Sequence, residues 1–277
     1  MRRRPDSQLT IAPFKRADIE ALPRIQPDGW GDISEPFRFY LNFKCGFPIK
    51  AINESDGMIG TGAAIHFANS AWLAHIIVDL AHRGKGIGGA IVENLLEHID
   101  RKGIETSLLL ATELGKPVYR KHGFEDVGNY SFLIRTSEAT PCLISGHIRK
   151  ATSDDFEAVF RLDGFICGED RRPLIKHAFH DGLVYQENGE SIQGFYLPSL
   201  KEGPIYATTQ EAGFALMDLK YNVINRASLP SENVAAIEHL QSKGFEIIEQ
   251  TGARMIRGAK IPWQPTMIYS RIGGNLG

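Results

Sequence analysis

An internal repeat is the feature of this sequence that most constrains its fold. The stretch from Ile11 to Leu22 returns as the stretch from Ile148 to Val159, with the same order of acidic and apolar residues. A helical pattern that ends at Gly123 is echoed by one that ends at Gly244, and Phe-Glu follows both glycines. The sequence separation between a residue of the first copy and its match in the second decreases along the chain, so the second copy is shorter in its middle. Two copies of one α/β unit explain 277 residues better than one large domain.

The repeat predicts two domains joined by a short linker. Small, polar and helix-breaking residues fill the stretch from Thr136 to Gly146, as is typical of a linker. We therefore expect a first domain over residues 1–137, a linker over 138–146 and a second domain over 147–277. The expected fold class is α/β (α+β), with two tandem domains. Each would be a mostly antiparallel twisted sheet flanked by helices, with a helical crossover after its fourth strand.

Hydrophobic periodicity places the elements of the first copy. The patterns predict strands at Ile49–Ile52, Met58–Phe67, Trp72–Val78, Ser107–Ala111 and Phe124–Arg135, the last broken at Gly128-Asn129. They predict helices at Arg16–Leu22, Glu35–Phe43, Gly86–Lys102 and Glu113–His122. The helix that begins at Gly86 has the strongest amphipathic spacing, and it directly follows a strand and a turn.

Composition excludes several classes of protein. The formal net charge is -2, so there is no overall basic character that would attract nucleic acid or an anionic membrane. No stretch approaches the roughly 20 apolar residues of a membrane span. The basic residues Arg2–Arg4 are not followed by an apolar segment, so no signal peptide is expected. Cys45, Cys142 and Cys167 lack C-x-x-C spacing, which indicates neither a disulfide framework nor a metal site. We expect a cytoplasmic protein that binds no metal, nucleic acid or membrane.

A glycine-rich stretch joins the strand that ends at Val78 to the long helix. It reads Arg83-Gly84-Lys85-Gly86-Ile87-Gly88. Glycines let the backbone turn tightly and let a bulky anion approach its N–H groups, and a helix start adds unpaired donors and a positive dipole end. Such a turn favours phosphate binding. The spacing fits neither a Walker A loop nor a Rossmann loop.

The glycine loop resembles the acetyl-CoA loop of the GNAT superfamily of N-acetyltransferases. The family pattern is R/Q-x-x-G-x-G/A, which Arg83, Gly86 and Gly88 match. A second motif supports the resemblance, because the family's later helix carries a tyrosine four residues before Gly-Phe. Tyr119 stands at that distance before Gly123. On these motifs the chain is similar to tandem GNAT proteins whose C-terminal copy is degenerate.

The resemblance implies an acyltransferase that moves the acetyl group of acetyl-CoA, its co-substrate, directly to a primary amine. Backbone N–H groups of the glycine loop would hold the pyrophosphate, which involves Arg83, Gly84, Lys85, Gly86, Ile87 and Gly88. Ile76 and Val78 would lie along the pantetheine, and an N–H near Val78 would polarise the thioester carbonyl. Tyr119 would protonate the leaving thiolate. Thr112 stands where the family often has an asparagine that contacts CoA.

Plainer explanations exist for several of these residues. The glycine loop could be a tight turn alone, Lys85 a solvated charge, and Tyr119 a core ring. No general base is identifiable: a regular strand would place His75 on the face opposite Trp72 and Val78, and we expect a core histidine there. Aromatic residues before the first strands are either an acceptor pocket or core packing, with the second preferred. They are Trp30, Phe37, Tyr40 and Phe43.

The second copy keeps the scaffold but loses the motifs. Gln210, Gly213 and Ala215 formally match Q-x-x-G-x-A, but the glycine cluster is gone and Glu211 brings a negative charge. Leu240 stands where the tyrosine would be and cannot give a proton. We expect this copy not to catalyse. A set of polar residues is expected to be solvated surface, with a place near the acceptor site as the alternative: Arg161, Asp163, Cys167 and Glu169–Arg172.

The preferred function is N-acetyl transfer by the first copy, with a small-molecule or peptide amine as acceptor. One alternative is a non-catalytic acyl-CoA-binding regulator or sensor, and another is a purely structural pair of domains. The motifs do not specify the acceptor, which loop shape would set. We expect a monomer that contains an intramolecular pseudo-dimer, or else a homodimer.

Overall fold

The computed structural model describes residues 9–139 and 143–277. Arg2–Arg4, Cys142 and part of the expected linker lie outside the described residues. The first copy has six strands and four α-helices: β1 (Thr10–Pro13), α1 (Leu22–Ile25), α2 (Ser34–Asn42), β2 (Gly46–Asn53), β3 (Gly57–His66), β4 (Ala71–Val78), α3 (Ile87–Arg101), β5 (Thr106–Ala111), α4 (Lys116–Lys121) and β6 (Glu125–Ile134). Short 3₁₀ turns precede α1, at Arg16–Ala21, and follow β4, at Leu80–His82.

The second copy repeats this order with a shorter middle. It comprises β7 (Ile148–Lys150), α5 (Phe156–Cys167), α6 (Arg172–Ala178), β8 (Leu183–Tyr185), β9 (Gly194–Tyr196), β10 (Ile205–Ala207), α7 (Gln210–Tyr221), β11 (Arg226–Pro230), α8 (Val234–Ser242), β12 (Glu246–Gly258) and β13 (Ile268–Ser270). The strands β8, β9 and β10 have three residues each, where β2, β3 and β4 have eight, ten and eight. The expected fold class, mixed α/β with mostly antiparallel sheets flanked by helices, is confirmed.

Helix α3 illustrates how the sequence dictates the local structure. Its apolar residues recur at helical spacing, and all of those that face the sheet are buried: Ile87, Ile91, Val92, Leu95, Leu96 and Ile99. The helix stops where Gly103 adopts a left-handed φ of 71°, a conformation that glycine takes at little cost. The predicted helix from Gly86 to Lys102 is confirmed to within one residue at each end.

The two copies exchange strands. The larger sheet has the order β1-β2-β3-β4-β5-β12-β6-β11, so β12 of the second copy lies between β5 and β6 of the first. In return, β6 pairs with β11 of the second copy along five residue pairs. All neighbours in this sheet are antiparallel except β4 and β5. The smaller sheet has the order β13-β10-β9-β8-β7. The boundaries at residues 137 and 147 stay a prediction, but hydrogen-bonded ladders cross them.

The predicted break in β6 at Gly128-Asn129 is wrong. The strand is continuous, and Gly128 pairs with Arg254 next to an irregularity in the β12 register. A Cβ at Gly128 would lie 2.5 Å from the Trp263 ring, so the glycine makes room for an indole from the second copy. A glycine inside a strand marks close approach of another group here, and not a turn.

The expectation of a solvated surface around residue 169 is also wrong for most of its members. Asp163, Glu169 and Arg171 are buried, and Arg171 makes two hydrogen bonds to the Asp163 carboxylate, at 2.6 and 3.0 Å. The Glu169 carboxylate accepts hydrogen bonds from Ser70 and from the Trp72 indole of the first copy, at 2.6 and 2.8 Å. Glu169 thus joins the two copies, and all three charges are buried because they are paired or hydrogen-bonded.

Within the described residues, none of the helices combines the length and the apolar character that crossing a membrane would need. The apolar side chains instead form three buried clusters. One lies between α3 and the sheet, one on the opposite face of that sheet, and one around α7 and α8.

The strand exchange predicts that a core substitution in β12 destabilises the first copy. Met255 is fully buried and lies opposite Leu109 of β5. We expect Met255→Ala to lower the free energy of unfolding by about 2–5 kcal/mol. In denaturant titrations with hydrogen exchange, the amides of β5 would lose protection together with those of β12. Ile247→Ala, in the same strand but 53% exposed, is the matched control and should cost far less. Unchanged protection in β5 would contradict the coupling.

Candidate active site

A gap opens between the central strands β4 and β5. These strands pair only at their beginnings, Ala71 with Ser107 and Trp72 with Leu108. Beyond Trp72 the two backbones diverge, and the remainder of β5 is held by β12 through Ala111. The sheet therefore has an open wedge that begins beside Leu73 and widens towards Val78.

The backbone of Val78 faces this gap. The N–H of Asp79 donates to Ile59 of β3 at 2.9 Å, and backbone groups of successive strand residues point in alternate directions. The N–H and carbonyl of Val78 must then point away from β3, towards β5. The carbonyl accepts a hydrogen bond from Nε of Arg83 at 3.1 Å, whereas the N–H points into the gap and has no partner in the described part of the chain.

A bulge in β4 changes the face on which His75 lies. The β3–β4 register shifts between Thr61 and Ala63, and His75 has a φ of 49°. The ring of His75 consequently lies on the face of Trp72 and Ala74, against Phe37 and Tyr40. Ile76 and Val78 pack on the opposite face, beside α3. The predicted placement of His75 opposite Trp72 is wrong, because it assumed a regular strand.

The glycine loop presents a row of free donors. No acceptor for the backbone N–H groups of the six residues from Gly84 to Gly89 exists in the part of the chain that the structure describes. Gly84 and Gly86 have φ values of 75° and 80°, and a Cβ at either would meet nothing within 4 Å. Gly86 is the N-cap of α3, so the donors coincide with the positive end of the helix dipole. The arrangement is suited to an oxyanion such as pyrophosphate.

The loop connects the gap to helix α4. A Cβ at Gly88 would lie 3.7 Å from Cγ2 of Val78, and one at Gly89 would lie 3.5 Å from Nε2 of His122. Lys85 turns back and donates from Nζ to the carbonyl of Ala81 at 3.0 Å. Its ammonium group thus serves the loop itself in this structure.

Tyr119 is buried on α4, with 9% of its surface exposed. Burial raises the pKa of its hydroxyl to about 12, so the residue holds its proton at neutral pH. That hydroxyl has no hydrogen-bond partner among the described residues. The carbonyl of Tyr119 accepts from the N–H of Phe124 at 3.1 Å, and Gly123 has a φ of 82°. The spacing from Tyr119 to Gly123 therefore also reflects the way in which a glycine ends helix α4.

Thr112 caps the turn that leads into α4. Its hydroxyl accepts from the N–H of Gly115 at 3.3 Å, and its side chain is exposed at the end of β5. The structure therefore brings Ile76, Val78, the glycine loop, Thr112 and Tyr119 to one end of the β4–β5 gap. Their roles towards acetyl-CoA stay predictions.

An aromatic group lies on the other face of the gap. Phe37 and Tyr40 of α2 are buried, whereas Trp30 is 42% exposed. Rings of all three lie edge-on to His75, with centroids 5.6 to 6.0 Å away. Phe43 stacks on Phe39 and is further from the gap. The preference for core packing holds for Phe37 and Tyr40 but not for Trp30.

Comparisons with known proteins agree with this geometry. Two family profiles, both described as acetyltransferase (GNAT) domain, match residues 49–126 and 159–270. The chain belongs to the GNAT superfamily. The first match spans β4, the glycine loop and Tyr119, and the second shows that the tandem arrangement is real. A comparison with curated protein sequences found no match.

Solved structures share the GNAT fold over nearly the whole chain. One, from Pyrococcus horikoshii and itself provisionally assigned as an acetyltransferase, has a TM-score of 0.82 at 19% identity, covering 97% of this chain and 96% of the other. A GCN5-related N-acetyltransferase from Sphaerobacter thermophilus has a TM-score of 0.64 at 14% identity, with 94% and 98% covered. At these identities the likeness concerns the fold alone.

In the second copy, the corresponding gap is filled by the chain itself. The counterparts of β4 and β5 are β10 and β11, and β13 lies between them. Ile205 and Tyr206 of β10 pair with β13, and the N–H of Arg271 donates to Ser228 of β11 at 3.0 Å. The residues from Gln210 to Ala215 form the start of α7 and not a loop. This strand is not predictable from the sequence, since the three residues Ile268–Ser270 carry too little pattern.

Tyr269 occupies the space beside the remaining glycine of the degenerate motif. A Cβ at Gly213 would lie 2.2 Å from Cζ of Tyr269, and the Tyr269 ring is buried. The Tyr269 hydroxyl donates to the carbonyl of Thr209 at 3.4 Å. Gly213 therefore makes room for a tyrosine ring, whereas a Cβ at Gly86, which holds the same place in the sequence motif, would meet nothing within 4 Å.

This packing predicts strong coupling between positions 213 and 269. Gly213→Ala should destabilise the protein by about 1–3 kcal/mol, because the added methyl overlaps a buried ring. In a double-mutant cycle measured by denaturant unfolding, Tyr269→Ala should remove most of that cost. Gly86→Ala, the matched change in the first copy, costs about 1–2 kcal/mol through its left-handed backbone, and Tyr269→Ala should not alter it. Additive costs at 213 and 269 would contradict the packing.

Proposed function

We propose that the first copy transfers an acetyl group from acetyl-CoA to a primary amine and that the second copy does not catalyse. The observation that supports this most is the contrast between the two gaps. In the first copy, six free N–H groups adjoin an open wedge between β4 and β5. In the second, β13 fills the wedge and Tyr269 covers the helix start.

The chemistry follows from where the groups lie. The pyrophosphate would bind the N–H groups of Gly84 to Gly89, and the pantetheine arm would enter the gap along β4. The free N–H of Val78 would polarise the thioester carbonyl as negative charge develops on its oxygen. The amine attacks the carbonyl carbon, the C–S bond breaks, and Tyr119 gives its proton to the departing thiolate. The nitrogen releases one proton to solvent water, and Tyr119 takes a proton back from solvent, so the products are the amide and the thiol. A neutral tyrosine is available for this, since its pKa is raised to about 12.

A non-catalytic acyl-CoA sensor is the competing function. It is favoured by one observation: the charged group that acts on His75, at the acceptor face, is Lys201 and not a carboxylate that could serve as a base. An assay of CoA release against amines, amino acids, aminoglycosides and peptides separates the two functions. Binding of acetyl-CoA without transfer to any acceptor would support the sensor.

The first copy alone should bind acetyl-CoA. A carboxylate introduced at the N-cap of α3 by Gly86→Asp would repel the pyrophosphate, and aspartate tolerates the left-handed backbone there better than most residues. We expect the dissociation constant of acetyl-CoA, measured by calorimetry, to rise at least about tenfold, or about 1.4 kcal/mol.

The matched control is Thr209→Asp. Thr209 is the N-cap of α7 in the second copy, and aspartate preserves capping. It should leave acetyl-CoA affinity unchanged. If both variants weakened acetyl-CoA binding equally, or if neither weakened it, the assignment of binding to the first copy would be contradicted.

Tyr119→Phe tests the proton donor. We expect kcat to fall by roughly 10²-fold while the KM of acetyl-CoA is unchanged, because the hydroxyl acts on the leaving group. Wild-type kcat should show no loss from Tyr119 ionisation below pH 10, because a raised pKa keeps an acid protonated to higher pH. The pH–rate profiles of both proteins are the measurement. Identical profiles would eliminate Tyr119 as the acid.

A further inference from the structure

A chain of hydrogen bonds links the second copy to the acceptor face of the first. Nδ2 of Asn275 donates to Oη of Tyr40 at 2.7 Å, and Oη of Tyr40 lies 2.7 Å from Nδ1 of His75. Asn275 and Tyr40 are 5% and 1% exposed. Asn275 belongs to the segment after β13, so the strand that fills the second gap also delivers this side chain.

The direction of this chain fixes the tautomer of His75. An amide nitrogen is a donor only, so the Tyr40 oxygen accepts from Asn275. The Tyr40 hydroxyl then needs an acceptor for its own hydrogen, and Nδ1 of His75 is the group within reach among the described residues. A nitrogen that accepts carries no hydrogen, which leaves the hydrogen of the neutral ring on Nε2. With the amide nitrogen towards Tyr40, the opposite tautomer would bury an unpaired hydroxyl hydrogen, at a cost of about 1–3 kcal/mol.

His75 is held neutral. Burial lowers the pKa of its ring to about 4, and the positive charge of Lys201 acts in the same direction. The ring faces Trp30, Phe37 and Tyr40, and none of these carries a charge. Lys201 lies over the rings of Phe39 and Tyr40, with Nζ 4.2 and 6.0 Å from their centroids. At neutral pH His75 consequently offers an N–H and no proton-accepting nitrogen.

The free N–H lies where an acceptor must arrive. The glycine loop and α3 occupy one face of the β4–β5 gap, so acetyl-CoA approaches from that side. An amine that attacks the thioester has to reach the gap from the opposite face, where the bulge places His75 beside the exposed ring of Trp30. Nε2 of His75 has no partner among the described residues.

We propose that His75 is a specificity residue that donates from Nε2 to an oxygen of the acceptor, and that Asn275 of the second copy positions it through Tyr40. This inference rests on the proposed function. The acceptor class is then an amine with a carbonyl or carboxylate oxygen close to the reacting nitrogen, such as an amino acid, its amide or a peptide N-terminus. The second copy, though its own gap is filled, determines which hydrogen-bond partner the first copy offers.

The test uses Asn275→Asp to reverse the direction of the hydrogen bonds that link residue 275, Tyr40 and His75. A carboxylate accepts hydrogen bonds, so Tyr40 would donate to Asp at this position and accept from Nδ1–H of His75. We expect ¹⁵N NMR of labelled histidine to show Nε2–H in the wild type and Nδ1–H in the variant. The preference in kcat/KM for phenylalaninamide over phenethylamine, which lacks the carboxamide, should fall by about tenfold, the value of one hydrogen bond. The KM of acetyl-CoA should be unchanged.

Two further variants complete the experiment. Asn69→Asp makes the same chemical change in another side chain that bridges the copies, through Gly168, and should leave both tautomer and preference as they are. Tyr40→Phe removes the link without adding charge and allows the hydrogen onto Nδ1, so it should weaken the preference even if Asn275→Asp fails to fold.

Three results would overturn the inference. They are Nδ1–H or a protonated ring in the wild type, a tautomer that switches while substrate preference stays, and a preference that Tyr40→Phe leaves intact. Bound acetyl-CoA without transfer to any amine would instead refute the proposed function, and with it the role of His75 towards a substrate. The NMR result would still decide the hydrogen-bond chain.

Discussion

The position of β12 between β5 and β6 is the constraint on which the rest of the structure depends. A gap inside a sheet leaves one edge of each flanking strand without backbone partners, and β5 keeps only two pairs with β4. On its other edge β5 pairs with β12 along all six of its residues, from Thr106 to Ala111. The second copy therefore supplies the ladder that holds β5 while β4 diverges from it. The candidate active site belongs to the first copy in sequence but depends on both in structure.

The same reasoning explains why the two gaps differ. One edge of β11 pairs with β6, just as one edge of β5 pairs with β12. On the other edge of β5 and of β11, each copy has a wedge beside its central strand. In the second copy the chain returns after Trp263 and places β13 in that wedge, where Lys220 of α7 donates to Ser270 at 2.6 Å. Backbone edges that would otherwise face solvent are thereby paired. In the first copy, the corresponding edge of β4 has no strand partner among the described residues beyond Trp72.

Local features of the fold were predictable from the sequence because they depend on neighbours in the chain. The periodicity of α3, the strands β2 to β5 and the glycine turns at Gly86 and Gly123 each reflect a local rule. Features that depend on distant residues were not. The burial of Glu169 requires Ser70 and Trp72, and the continuity of β6 at Gly128 requires Trp263. Pairing partners of β12 and β13 cannot be read from their own residues.

The candidate site divides in the same way. The glycine loop and Tyr119 could be found from spacing, since each is a helix terminus with its own sequence signature. The acceptor face could not be found from the sequence. The bulge at His75 changes which side chains of β4 lie on each face of the sheet, and no residue type in β4 indicates a bulge. Asn275 is more than two hundred residues from Tyr40 in sequence, and no local motif marks it as part of the site.

The ring of Tyr269 against Gly213 has a consequence for how variants of this protein should be classified. The two copies share a glycine at matching places, yet the same exchange has different phenotypes. At Gly213 the exchange destabilises through overlap with a buried ring, whereas at Gly86 it strains a left-handed backbone and in addition alters the loop that carries the unpaired N–H groups. A screen that scores abundance and activity separately would distinguish variants of the two copies, although their matching motif residues suggest equivalent roles.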